Sequence, residues 1–187
     1  MGDLIGVREP GAIEIVDYNP AWPERYEAVR ARIATGFAPM TARIEHIGST
    51  AVPGLAGKPI VDVLVELADP AQEWAYRTAL EAAGFELRVR EPRHRMYRTA
   101  ARDVHVHIWL LGSADAADCL LLRDRLRASV DDRRLYERVK RELAAREWGD
   151  MNEYAEAKGP VIAAIMSGPG TSSSAQARQA RRTAPRR

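Results

Sequence analysis

Two histidines spaced i, i+2 in the run DVHVHIWLL, and one aspartate inside the apolar run KPIVDVLVEL, are the residues of this chain best suited to chemistry. Side chains of an extended segment alternate between faces, so Asp103, His105 and His107 share one face while Val104, Val106 and Ile108 share the other. Imidazoles at that spacing could hold a metal ion or a phosphate; they would also suit a solvent-facing strand. In the second run Val61, Val63 and Val65 take one face and Asp62, Leu64 and Glu66 the other. A carboxylate on a central strand is costly unless it is paired, metal-bound or at a cleft. Asp62 is therefore either a structural partner of Lys58 or an arginine, or part of a site. Glu66 shares its face, but four residues of strand span roughly 13 Å. The two cannot chelate one ion, and Glu66 is expected as a surface charge at the strand end.

Ser49 lies thirteen residues before Asp62, in the turn Gly48-Ser49-Thr50. Glycine at a strand end lets the backbone turn and present amides, and two hydroxyls add donors, a composition that suits phosphate or another anion as well as an ordinary loop. The connection VPGLAGKP is compact and delivers Lys58 beside the strand that carries Asp62. His46, just before the turn, could join the same site, whereas His94 in EPRHR reads as a loop residue. Further along, Arg123 and Arg127, Tyr136 and Lys140, and Tyr154 and Lys158 repeat an i, i+4 spacing beside apolar stripes. Such pairs could surround an anionic ligand, or each could snorkel with a solvated head. Asp124 could hold the two arginines in place.

The elements that must position these residues follow from periodicity. A first strand is expected over residues 13–18, then a helix opened by Asn19 with Trp22, Tyr26, Val29 and Ile33 at helical spacing. ARIEHIG and KPIVDVLVEL read as the next strands, the latter central and covered on both faces. A helix over residues 70–84 stopping at Gly84, a strand pair FELRVRE and RMYRT, and the strand DVHVHIWLL follow. Cys119, Leu122, Leu126 and Val130 mark one helical face and Leu135, Val139 and Leu143 another. A final helical region spans about residues 150–166, where Pro160 must kink it or start a new helix. The expected class is α+β (mixed α/β), a mixed sheet flanked by helices with a helical C-terminal part.

A chain of 187 residues, 46% apolar and 29% charged, is expected to form one soluble domain over residues 13–167 after a flexible N-terminus of residues 1–12. Residues 168–187 hold five arginines and no acid; taking those five charges from the net +2 leaves −3 on the body. This Ser, Ala, Gly, Pro and Arg tail lacks any apolar period and is expected to be disordered, with weak electrostatic contact to nucleic acid open to it. Nothing in the folded body points to a specific nucleic-acid site. The longest uncharged apolar run, residues 104–111, is far below membrane-spanning length, and MGDLIGVREP has no apolar h-region. One cysteine, Cys119, excludes an internal disulfide framework and a cysteine zinc site. The expected location is the cytoplasm.

The stretch IEHIGSTAVPGLAGKPIVDV resembles the signature of the GrpB family. The resemblance continues in order through VDYNPAWPERYEAVR, HVHIW, LLRDRLRA with LYERVKRELA, and YAEAKGPVI, covering residues 13 to about 166. It implies a nucleotidyltransferase-like fold, in which a Gly-Ser turn after a strand contacts a nucleoside triphosphate. Carboxylates on the following strand, usually Asp-X-Asp, hold divalent metal there. Carried over, Gly48, Ser49 and Thr50 would touch phosphate and Asp62 would be the first metal carboxylate. The chain departs from that pattern at Leu64, the second acidic position, so His105, His107 or Asp103 would have to substitute. Pro160, where the family continues a helix, is a smaller departure. The family also occurs fused to dephospho-coenzyme A kinase, a nucleotide-related setting. Three functions are compatible with this. One is a nucleotidyltransferase acting on a small acceptor, with Mg²⁺ or Mn²⁺ on Asp62, His105 and His107 and with Lys58, Arg123, Arg127, Lys140 and Lys158 balancing charge. Another is a non-catalytic module for a nucleotide or other anionic metabolite, and the third a His/Asp metal-site enzyme.

Overall fold

A computed structural model describes residues 3–5, 13–38 and 40–168 of the chain. The arginine-rich tail beyond Gly168, and most of the N-terminal segment expected to be flexible, lie outside the described residues. Among the described residues six strands form one mixed sheet: β1 (Asp3–Leu4), β2 (Arg43–Ile47), β3 (Val61–Leu67), β4 (Phe85–Glu91), β5 (His94–Thr99) and β6 (Val104–Leu110). Their order across the sheet is β1-β4-β5-β6-β3-β2. Only the central β3–β6 pair is parallel; its register sets Asp62 opposite His105 and Leu64 opposite His107. The helices are α1 (Trp22–Phe37), α2 (Arg77–Ala82), α3 (Ala114–Ala128), α4 (Val130–Ala144), α5 (Met151–Ala157) and α6 (Gly159–Ser167).

One sheet face is largely apolar, with buried His46 and Arg95 set among the apolar side chains. Val61, Val63 and Val65 of β3 and Val104, Val106 and Ile108 of β6 pack with Tyr97 and Phe85 against Val29, Ile33 and Phe37 of α1 and Leu80 of α2. Each such side chain, fully buried, contributes roughly 1.5–3 kcal/mol. A one-residue slip would turn that whole set to the other face, so the packing locks the register that puts Asp62 beside His105. On the opposite face α3 covers a small apolar cluster of Ile47, Leu64 and Ala116. The connection after β2 is pinned to the C-terminal helices, with Val52 and Leu55 packed among Leu126, Tyr136, Val161 and Ile165.

Several local expectations need correction. Residues 13–18 do not join the sheet. Among the described residues they make a single bridge, Val16 to Gly57, while Ile13 packs beneath Leu143 and Tyr154. The sheet edge is instead β1, paired to Val89 and Arg90 of β4. The helix expected over residues 70–84 is a 3₁₀ turn, Glu73–Ala75, followed by the short α2. Tyr76 breaks it: its ring is buried, its φ of −134° is not helical, and its hydroxyl donates to the Pro70 carbonyl at 2.5 Å. Glu66 is no surface charge; it is 4% exposed, accepting from Arg43 and from the Gly112 amide at 3.0 Å. At Pro160 a new helix begins, with the proline in the first turn of α6.

Candidate metal and phosphate site

Asp62 occupies the second position of β3, with its side chain 27% exposed. His105 Nδ1 lies 3.4 Å and His107 Nε2 3.7 Å from the same carboxylate oxygen, Oδ1. One donor atom from each of the three residues falls within 4.8 Å of the others. Burial alone would raise the Asp62 pKa, but the hydrogen bond from His105, the largest opposing influence, helps hold the carboxyl well below the usual carboxylate range. Two ring nitrogens and one carboxylate oxygen make a donor set that fits a divalent cation. The second acidic position is filled by Leu64, fully buried against Ile47 and Ala116, so it supplies no second carboxylate.

Gly48 brings the turn onto Asp62. It holds φ 71°, ψ −172°, a conformation open essentially to glycine alone, and a Cβ there would collide with Asp62 Oδ2. The backbone of the turn therefore lies directly against the carboxylate. Ser49 begins a 3₁₀ turn, Ser49–Ala51, and its Oγ accepts from Lys140 Nζ at 2.8 Å. Gly57 packs so close to the Ser49 side chain that a Cβ would come within 2.5 Å of it. Turn and connection are thus folded onto each other through two glycines.

Three lysines line the adjoining wall. Lys140 on α4 is 2% exposed and bonds both Ser49 Oγ and the Ala56 carbonyl, with its ammonium 4.8 Å from the centre of the Tyr136 ring. Lys58 and Lys158 both stand over Tyr154, at 5.6 and 4.9 Å. Burial, then repulsion from Lys158, lowers the Lys140 pKa to about 7; burial and repulsion from Lys58 bring Lys158 to about 8. Burial also lowers Lys58, with Asp62 opposing it. Tyr136 and Tyr154 are buried and their phenols pushed up by that burial, Tyr154 to about 12. The wall is poised to take up protons and negative charge together.

Other residues singled out in the sequence are engaged elsewhere. Thr50 is 1% exposed; its hydroxyl donates to the Ile60 carbonyl at 3.1 Å and lies 3.0 Å from His46 Nε2. His46 is buried and stacked on Tyr26 at 4.4 Å, and burial lowers its pKa to about 4. Both are fixed inside the turn's support and do not face the Asp62 cluster. Asp103 precedes β6 and pairs with Arg25 and Thr99. Arg123 ties α3 to β2 through Glu45 Oε2 (2.9 Å) and the His46 carbonyl (3.0 Å), with Asp124 on its other edge. Arg127 donates to the Ala51 carbonyl at 2.9 Å. These arginines brace the turn from behind.

His94, read as a loop residue, instead opens β5 and is 8% exposed. Its ring stacks on Trp109 at 3.9 Å, its Nε2 lies 3.3 Å from His107 Nδ1, and its Nδ1 lies 2.9 Å from Glu91 Oε2. Burial and the charge of His107 lower its pKa. The polar run EPRHR hid it, although HRMYRT already carries the alternation of a strand that would turn His94 and Met96 to one side.

The family model described as GrpB protein matches residues 12–168. The UPF0157 protein of Streptomyces coelicolor is 52% identical over 168 residues, 90% of either chain. The crystal structure of the conserved protein GrpB from Enterococcus faecalis superposes with a TM-score of 0.72 at 28% identity, covering 81% of this chain and 94% of that one. The Cid1 poly(U) polymerase with MgGTP bound is similar in fold alone: TM-score 0.50, 15% identity, 71% of this chain and 45% of that one. Among the described residues no helix is long and apolar enough to cross a membrane. With a nucleotidyltransferase-like fold and a family match spanning nearly all its described residues, the chain belongs to the GrpB family.

Proposed function

We propose that the chain is a divalent-metal-dependent nucleotidyltransferase, moving a nucleotidyl group from a nucleoside triphosphate to a small-molecule acceptor. The observation that carries this reading is the convergence of Asp62, His105 and His107 directly against the Gly48 backbone. Asp62, His105 and His107 would hold Mg²⁺ or Mn²⁺, which when bound supplies Lewis-acid stabilisation of charge on phosphate oxygens. Ser49 Oγ already accepts from Lys140, so its own hydrogen is available to a phosphate oxygen. Lys58, Lys140 and Lys158 offset the charge of the polyphosphate, and the buried rings of Tyr136 and Tyr154 keep water from that wall. The acceptor hydroxyl or amine would attack the α-phosphorus as pyrophosphate departs.

Isothermal calorimetry with ATP, GTP, CTP and UTP, with and without Mn²⁺, tests this. Asp62→Ala should abolish metal-dependent nucleotide binding while leaving the thermal unfolding midpoint close to that of the parent; unchanged binding would overturn the reading. A second reading, a non-catalytic module for a nucleotide or other anionic metabolite, is favoured by Leu64 at the second acidic position. It predicts saturable binding with little metal dependence and no pyrophosphate release in the presence of candidate acceptors.

A further inference from the structure

The contacts around His94 restrict where hydrogens can sit along a line of four side chains. Glu91 Oε2 belongs to a carboxylate 42% exposed, an acceptor, so the hydrogen between it and His94 belongs to His94 Nδ1, at 2.9 Å. A neutral imidazole has one such hydrogen, which leaves His94 Nε2 as an acceptor. The nitrogen 3.3 Å from it, His107 Nδ1, must then be the donor. The two rings are 7° from parallel with centroids 5.5 Å apart, the spacing of imidazoles meeting edge to edge in a common plane, as an N–H···N bond needs. Trp109, stacked on His94 at 3.9 Å, holds that plane. His107 has then spent its one hydrogen, and its Nε2 presents a lone pair to Asp62 Oδ1 at 3.7 Å. A lone pair facing a carboxylate oxygen is repulsive with nothing between them and favourable around a cation. The separations of 3.4 and 3.7 Å from Asp62 Oδ1 exceed a good hydrogen bond and suit atoms that ligate one ion at about 2.0–2.2 Å each.

Resting on the proposed site, we infer that Glu91 and His94 are positioning residues that fix His107 in the metal-ligating tautomer, so that Asp62, His105 and His107 take a first-row transition ion such as Mn²⁺ in preference to Mg²⁺. Imidazole donors favour such ions, whereas Mg²⁺ prefers carboxylate, phosphate and water oxygens. A carboxylate behind a ligating histidine is the usual outer support of a metal site, and its loss typically weakens metal affinity about 10–100-fold. Here a second imidazole is interposed between the carboxylate and the ligand.

The test uses the full chain and the metal alone. Mn²⁺ and Mg²⁺ are titrated into wild type, Asp62→Asn, His94→Phe and His94→Gln, and ¹⁵N-histidine NMR of the metal-free wild type reads which His107 nitrogen carries the hydrogen. The expected results are Mn²⁺ bound at least tenfold tighter than Mg²⁺, about a tenfold or greater loss in His94→Phe, and recovery in His94→Gln, whose amide oxygen can still accept. The NMR should show His107 Nδ1 protonated and Nε2 bare. His94→Phe with wild-type affinity, or a bare His107 Nδ1, overturns the inference while the metal site stands. Absence of Mn²⁺ binding in wild type and Asp62→Asn alike overturns the metal reading itself, and equal Mg²⁺ and Mn²⁺ affinity overturns the selectivity.

Discussion

Asp62 and Glu66 stand four residues apart on the same face of β3 and are held by different kinds of partner. Glu66 is 4% exposed and is met by a guanidinium, Arg43, and a backbone amide, Gly112. Both are permanent donors, so the carboxylate is satisfied and nothing further can reach it. Asp62 is half-buried and is met by two imidazoles at 3.4 and 3.7 Å. An imidazole can present either a hydrogen or a lone pair; His94 sets His107 to the lone pair while His105 keeps that choice, so the same surroundings can serve a bare carboxylate or one sharing a cation. The difference between a structural carboxylate and a site carboxylate lies here in whether the partners can change state.

The comparison breaks hardest at Gly48. Gly48→Ala places a side chain in a conformation that costs about 1–3 kcal/mol and drives its Cβ into Asp62 Oδ2. Urea unfolding should register the loss, and Mn²⁺ affinity should fall with it, because the Asp62 end couples fold to site. Glu66→Gln should behave differently. It keeps an acceptor for the Gly112 amide, and the expected loss is about 1 kcal/mol with Mn²⁺ and nucleotide affinity unchanged. A Glu66 variant that weakened Mn²⁺ binding would erase the distinction between the two ends.

A pH dependence arises from the lysine wall. Lys140 sits at about 7 and Lys158 at about 8 in the folded chain, against an ordinary value of 10.5. Between those values the unfolded chain binds protons that the folded chain does not, so stability rises with pH from about 7 toward 10.5 and falls as pH drops through 8 and 7. Neutral Lys140 has two hydrogens for its two acceptors, Ser49 Oγ and the Ala56 carbonyl, so deprotonation sacrifices no hydrogen bond. Unfolding free energies measured from pH 6 to 9 should show that slope, and Lys140→Met should flatten it. Nucleotide binding at pH 8 should take up protons, seen as different heats in buffers of different ionisation enthalpy.

What could be read from sequence was whatever periodicity encodes. β3 and β6 were legible because Val61, Val63 and Val65 and Val104, Val106 and Ile108 alternate, and α1, α3 and α4 because their apolar residues recur at helical spacing. Alternation also put His105 and His107 on one face, but their approach to Asp62 depends on the parallel pairing of β3 with β6, which no local pattern states. The two-residue β1 and the break at Tyr76 are tertiary outcomes of the same kind. Residue type likewise conceals whether a polar group is already spent. Thr50, His46, Arg123 and Arg127 carry the chemistry of ligand contacts and are consumed bracing the turn. His94 shows the converse, a residue in a polar run that the β5–β6 pairing draws in behind His107.

Leu64 bears on how this site could change over evolutionary time. An aspartate placed there would bury a charge among Ile47, Ala116, Cys119 and Leu120, with the imidazole of His107 as its cross-strand neighbour. Regaining a paired-acid arrangement would need α3 to retreat or acquire polar groups at the same step. The apolar packing beneath α3 therefore disfavours a second acid at position 64 and leaves Asp62 and the imidazoles as the donors of this site.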